Sequence, residues 1–189
     1  MFNTLRRFAQ TVHFSISEPD WKTLTQITDY RVVEKGNKIS FKRRLGRTII
    51  FIESGALVVL QNIGEEKRIT NLATKDHFVF DVSNNQSSVA NGQEILATAK
   101  TFYYEIDYDD LVEASAKSAF MLSLFNHLVS TKVLQDIQHR RLLNSFDGKE
   151  RFTALKSMIP NVDKIFTLKQ IASFICLRPE SLSRILQPL

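Results

Sequence analysis

Cysteine is almost missing from this 189-residue chain, where Cys176 stands alone. One thiol forms no internal disulfide and no all-cysteine iron–sulfur site within a single chain, and such usage points to a reducing compartment. Proline (4) and glycine (6) are scarce. Neither occurs between Asp109 and Ser145, so nothing in that stretch breaks a helix on composition alone. No apolar run approaches the roughly 20 residues of a membrane span. The N-terminal MFNTLRRFAQTVHF has two arginines but no apolar stretch of signal-peptide length. A cytoplasmic protein with no membrane association is expected. His13, His77, His127 and His139 are far apart and lack metal-ligand spacing, so no metal site is expected. No P-loop, Gly-rich dinucleotide turn or GxSxG motif occurs, so neither a cofactor nor an enzyme is expected.

What is present divides into three blocks. Hydrophobic residues make up 43% and charged residues 24%, the balance of an ordinary globular protein. Residues 15–30 read as helical, with caps at Ser15 to Ser17 and a stripe of Trp21, Leu24, Ile27 and Thr28. From Arg31 to about Tyr108, short β-branched and aromatic runs alternate with turn residues: RVVE, GNKISF, RTIIFIESGALVVLQ, KRITNL, HFVFDV, EILAT and TFYYEI. Strands at this spacing, without long helices between them, predict an antiparallel barrel or sandwich. Turn signals include Ser54-Gly55, Asn62-Ile63-Gly64, Asn84-Asn85 and Asn91-Gly92. A basic cluster, Lys42-Arg43-Arg44 with Arg47, reads as a solvated hairpin tip. Asp109 to Ser145 then reads as one long helix with Ala116, Phe120, Met121, Leu124, Phe125 and Leu128 at three- and four-residue steps. A helix this long exceeds what a small barrel covers, so its remaining apolar face is expected to meet its twin in a homodimer.

The last block carries the charge. Residues 1–139 balance 16 basic against 16 acidic side chains, whereas residues 140–189 hold 9 basic and 4 acidic. The whole net charge of +5 therefore lies at the C-terminal end. A local basic excess supplies the salt-dependent part of DNA affinity. Within it, KERFTALKSMIP reads as a helix, Pro160-Asn161 as a turn, Lys164-Ile165-Phe166 as a short strand and Thr167 as an N-cap. TLKQIASFICLRPESLSRILQPL then reads as a helix-turn-helix. Ile171, Ile175, Leu182 and Ile185 have packing spacing, Ala172 permits close approach, Leu177 falls in the turn and Pro179 opens the second helix. Arg178, Glu180, Ser181, Ser183 and Arg184 are left on its exposed face as candidates to read base edges. Lys169 and Gln170, at the start of the first helix, complete the DNA-binding candidates, Lys169 as a sequence-independent contact.

This layout resembles the Crp/Fnr superfamily of bacterial transcription regulators over nearly the whole chain. FIESGALVVL (51–60) is similar to the family's strand-turn-strand with its SG turn, and DHFVFD (76–81) to the start of its cyclic-nucleotide cassette. KERFTALKSMIP, TLKQIASFI and RPESLSRIL resemble the three DNA-binding helices in order. The resemblance implies an α+β fold in three parts. They are an N-terminal antiparallel β-barrel of cyclic-nucleotide-binding-like jelly-roll type (1–110), a dimerisation helix (111–145) and a C-terminal (winged) helix-turn-helix (146–189). It also implies a homodimer on double-stranded DNA, with RNA polymerase as a further partner. Glu180 and Arg184 stand where the family's base-reading Glu and Arg stand, with Ser181 between them.

Departures from the family carry expectations of their own. Cys176 replaces the glycine of the inter-helix turn; a small thiol fits there if φ stays negative, and a packed, inert cysteine is expected over a redox switch. Pro179 replaces a base-contacting Arg, and little or no wing is expected after the second helix. In the effector cassette, Phe80 stands for the Gly, Asp81 for the ribose-binding Glu and Gln93 for the phosphate-binding Arg. Without that Arg, cyclic AMP and cyclic GMP are not expected to bind, and Phe80 is expected to fill the pocket; the effector is left unnamed. The alternative is a cupin-like small-molecule-binding or protein-interaction module whose C-terminal helices serve assembly only. A cupin enzyme would need clustered His and carboxylate ligands, and the strand region contains only His77.

Overall fold

The computed structural model describes residues 2–12, 15–40, 48–64, 66–81, 93–144 and 147–187. The basic cluster at Lys42 to Arg47 and the turn signals at Asn84-Asn85 and Asn91-Gly92 lie outside them. Two helices come first, α1 (Asn3–Val12) and α2 (Glu18–Gln26). Strands β1 (Thr28–Val33), β2 (Thr48–Ser54), β3 (Ala56–Ile63), β4 (Glu66–Thr74), β5 (Phe78–Asp81), β6 (Gln93–Ala97) and β7 (Thr101–Asp107) follow. The remainder is helical: α3 (Tyr108–Ser115), α4 (Ala119–Leu143), α5 (Gly148–Met158), α6 (Val162–Ile165), α7 (Leu168–Phe174) and α8 (Pro179–Leu186).

The strands form two antiparallel sheets, β1-β7-β2-β5 and β4-β3-β6. They face each other as the layers of a jelly roll, and among the described residues no continuous ladder closes them into a barrel. GNKISF, expected as a strand, makes only one bridge, Lys38 to Leu96, with backbone bonds to β6 such as Ile39 N–H to the Ile95 carbonyl at 2.9 Å.

The strand sequences follow from burial on two sides. In β2, Ile50 and Ile52 point between the sheets with Leu57, Val59, Val79 and Ile95. Their neighbours Ile49 and Phe51 point outward, under Leu5, Ala9, Leu111, Met121, Leu124 and Leu128 of the flanking helices. In β3, Leu57 and Val59 face inward while Ala56 and Val58 face the C-terminal helices. Strands covered on both faces lose the polar alternation and become runs such as TIIFI and ALVVL.

Two helical expectations are corrected, and one helix had no counterpart in the sequence reading. The N-terminal segment forms α1, whose Leu5 and Ala9 are buried against the first sheet. The helix expected over 15–30 ends at Gln26, and Thr28 begins a strand paired with Ile106. The helix expected over 109–145 is two helices interrupted at Ala116–Ser118. The break has a tertiary cause: Ser118 caps α4 by accepting from the Met121 N–H at 3.2 Å while its hydroxyl donates to Asp20 of α2 at 2.5 Å. Lys164 to Phe166 is not a strand, since Lys164 and Ile165 belong to the one-turn helix α6. Among the described residues no strand follows α8.

The C-terminal helices share one core with the outer face of the second sheet. Phe152, Leu155, Ile171, Phe174, Ile175 and Leu182 pack with Val58, Ile69 and Leu72.

Candidate nucleic-acid interface

Thr167 starts α7 with a complete capping box. Its hydroxyl accepts from the Gln170 N–H at 3.3 Å, and the Gln170 side-chain oxygen accepts from the Thr167 N–H at 2.8 Å. This satisfies two amides that a helix start otherwise leaves open. It also commits the Gln170 carbonyl oxygen to the helix, leaving only its NH₂ group for a ligand. Lys169, beside it, is exposed.

The turn between α7 and α8 is a Schellman motif. The Leu177 N–H donates to the Ala172 carbonyl at 2.8 Å and the Cys176 N–H to the Ser173 carbonyl at 3.3 Å. The residue after the cap of such a motif is left-handed, a place suited to glycine. Cys176 occupies it with φ +54° and is exposed. The condition of a negative φ is therefore not met, and the expected packed thiol is corrected: the turn dictates the backbone and the side chain is exposed. The Arg151 guanidinium of α5 steadies the turn by donating to the Ile175 carbonyl at 3.2 Å.

Pro179 opens α8 as its first residue, and Arg178 at the N-cap makes no side-chain capping bond. Leu182 is fully buried and Ile185 half-buried, which fixes the helix's roll. Arg178, Glu180, Ser181 and Arg184 are exposed and Ser183 is half-buried. The structure thus brings together on one surface the residues that the sequence nominated on this helix.

Sequence reasoning missed how this unit is held. The β4 backbone donates from Ile69 N–H to the Ser173 hydroxyl at 3.1 Å. His139 of α4 stacks on Phe174, with ring centroids 4.3 Å apart at 4°, and its Nε2 lies 3.3 Å from the Phe174 carbonyl. Burial depresses the His139 pKa, partly opposed by that carbonyl, so the neutral ring donating to Phe174 dominates at neutral pH. The available signals were a serine and a histidine on otherwise apolar faces, which sequence alone reads as surface or core.

A cleft of about 880 Å³ opens between the second sheet, α4 and the C-terminal helices. Phe80 and Gln93 line it with Asn71, Lys132, Asp136 and His139. Phe80 is thus one of the residues bordering this space; the Asp81 side chain and the cassette residues 82–92 lie outside the description. Lys132 is paired to Asp136, and among the described residues no arginine lines the cleft.

Helix α4 is buried along one side by Phe120, Met121, Leu124 and Leu128. Its other side exposes Leu122, Val129, Val133 (51%), Leu134 (58%) and Ile137. No helix among the described residues is long and apolar enough to cross a membrane.

No protein-family model matches the chain, and no curated protein matches it. Solved structures do. FixK2 from Bradyrhizobium japonicum is similar over 85% of this chain and 83% of its own at 12% identity, with a TM-score of 0.65. A protein described as a crp/fnr-family transcriptional regulator from Eubacterium rectale matches over 90% and 82% at 16% identity, with a TM-score of 0.66. The c-di-GMP-responsive global regulator CLP from Xanthomonas campestris matches over 88% of both chains at 11% identity, with a TM-score of 0.60. The chain has the Crp/Fnr fold.

Proposed function

We propose that this protein is a sequence-specific, DNA-binding transcription regulator that acts as a homodimer and does not depend on cyclic nucleotides. The observation that carries the reading is α8, with a fully buried Leu182 behind it and exposed Arg178, Glu180, Ser181 and Arg184 in front. Arg184 has the donor pair for a guanine edge and Glu180 the acceptor for a cytosine amino group. Lys169 contacts phosphate, as does Gln170 through its remaining NH₂. Ser183, half-buried, closes the edge of the reading face. RNA polymerase is the further partner in this reading.

The exposed stripe of α4 supports dimerisation. A 25-residue helix is about 37 Å long, and its solvent face carries apolar residues at a spacing that suits a twin helix. Two α8 helices then enter successive major grooves of a pseudo-palindromic site about one turn apart. The cleft argues against a cyclic nucleotide. Its lining pairs Lys132 with Asp136, adds the carboxylate of Asp76 and holds His139 neutral. Among the described residues Lys132 is then the one lysine or arginine in the lining, against two carboxylates, and Gln93 gives a phosphate no charge; each missing charged hydrogen bond costs about 1.5–3 kcal/mol. CLP responds to c-di-GMP, a cyclic dinucleotide; the reading here concerns cyclic AMP and cyclic GMP. The assembly-module reading is less favoured because it has no use for a C-terminal excess of +5.

Selection of bound fragments from random duplex DNA at two salt concentrations tests the proposal. An enriched palindrome with wild type that disappears with Arg184→Ala is the expected result. Absence of binding at both salts would overturn it. Micromolar binding of cyclic AMP or cyclic GMP by calorimetry would sink the effector claim.

A further inference from the structure

Beside the α7–α8 turn, the start of β4 forms the opposite wall of a second cleft of about 530 Å³. It is lined by Glu66, Lys67 and Arg68 on one side and Ser173, Cys176, Leu177 and Arg178 on the other. The two walls do not move independently. Ile69, next to Arg68, is tied by its N–H to Ser173, and its side chain lies in the core that also holds Ile171, Ile175 and Leu182. The β3–β4 hairpin is therefore fixed relative to the amino end of α8.

The charges there favour an anion. Among the described residues, the lining of this cleft holds Lys67, Arg68 and Arg178 against the one carboxylate of Glu66, with Lys38 and Glu94 adjoining through Lys67. Glu94 is shared by two lysines, at 2.9 Å to Lys38 and 2.7 Å to Lys67. Arg68 pairs with Glu66 at 2.9 Å. Lys67 and Arg68 are 45% and 49% exposed. Exposed pairs of this kind contribute little, so a phosphate can replace a carboxylate as the partner at small cost.

We propose that the β3–β4 hairpin is a second DNA contact, in which Lys67 and Arg68 grip the phosphate backbone flanking the half-site that α8 enters. The inference rests on the DNA-binding reading above. When the amino end of α8 enters a major groove, the strand bordering that groove passes the residues just ahead of the helix, and the hairpin sits beside those residues. The contact carries no sequence information; it positions the protein and lengthens its footprint. The strand domain thereby becomes part of the DNA interface.

The test uses the full chain and a duplex carrying the selected site, with affinity measured by fluorescence anisotropy over a series of salt concentrations. Each phosphate contact adds about 0.9 to the slope of log affinity against log salt. For a dimer, Lys67→Gln with Arg68→Gln removes four contacts, so the slope is expected to shrink by about 3–4 with the enriched sequence unchanged. Trimming the flanks of the duplex is expected to give wild type the same loss. Wild-type slope and affinity in the double variant, with Arg184→Ala still abolishing preference, would overturn the hairpin contact while leaving the DNA reading intact. If wild type binds no duplex, the DNA reading fails and the hairpin contact falls with it. Both substitutions are at exposed positions, and an unchanged melting temperature confirms that folding is not the cause.

Discussion

Replacing Gly55 by alanine is expected to be far more damaging than the same change at Gly64, although both glycines sit in tight turns with positive φ. At Gly64, φ is +64° and an added Cβ meets no heavy atom within 4 Å. That substitution costs only the left-handed backbone, about 1–2 kcal/mol, less about 0.4–1 kcal/mol regained because the unfolded chain loses freedom. The net is about 1 kcal/mol. At Gly55, φ is +102°, and the added Cβ would lie 2.4 Å from Thr101 Oγ1, 2.5 Å from the Lys100 carbonyl oxygen and 2.6 Å from Thr101 Cα. None of these can yield cheaply. Thr101 is fully buried, accepts from the Ala56 N–H at 3.0 Å and donates to the Ala99 carbonyl at 2.9 Å. Overpacking adds about 1–3 kcal/mol, and disturbing a buried hydrogen bond about 1 kcal/mol more. Gly55→Ala is therefore expected to lose about 3–5 kcal/mol, a large part of the 5–15 kcal/mol typical of a folded domain. Urea unfolding followed by fluorescence of the single tryptophan, Trp21, measures both variants. Losses within about 0.5 kcal/mol of each other would refute the steric argument, because the clash at Gly55 has no counterpart at Gly64.

Further outcomes follow from the same geometry. Cys176→Gly is expected to stabilise the protein by up to about 1 kcal/mol by relieving a left-handed non-glycine residue, readable as a higher urea midpoint. Thr167→Ala, which removes the capping box, is expected to cost about 1 kcal/mol in the same assay. The lowered pKa of His139 sets a sign. Its stabilising contribution is fully present above the ordinary value of 6.5 and is lost as pH falls through 6.5 toward the depressed folded value, because the unfolded chain binds the proton more readily. His139→Gln is therefore expected to lose less stability than wild type between pH 8 and pH 5.5. Val129→Glu with Val133→Glu places charge on the exposed stripe of α4 and is expected to halve the mass seen by light scattering while leaving the far-ultraviolet spectrum intact.

Much of the architecture was legible in the sequence. TIIFI and ALVVL were recognisable as strands, and their lack of polar alternation is explained by cover on both faces. The α7–α8 unit was legible down to Thr167 and Pro179, because caps and first-turn prolines are dictated by nearest neighbours. The exposed row of α8 was legible because burial of Leu182 leaves Arg178, Glu180, Ser181 and Arg184 outside. The break at Ala116–Ser118 was not legible, since no Gly or Pro marks it and the residue that pins Ser118 is Asp20, 98 positions away. The left-handed Cys176 was missed for another reason. A Schellman turn imposes its φ through hydrogen bonds to Ala172 and Ser173, whatever side chain occupies the site.

By itself, the sequence determined the local choices: which runs are strands or helices, where the capped helices begin, which residues α8 presents, and where the positive charge is concentrated. These depend on backbone preferences and periodicity within a few residues, and such information is carried by neighbours in the chain. Only the tertiary structure decided that the helix-turn-helix docks on β4, that His139 stacks on Phe174, that Phe80 and Gln93 line one cleft, and that Lys67 and Arg68 line another with Arg178. Those arrangements depend on which apolar faces cover one another. Hydrophobic burial is non-directional, so the sequence supplies the faces while the packing of the whole chain selects the pairs.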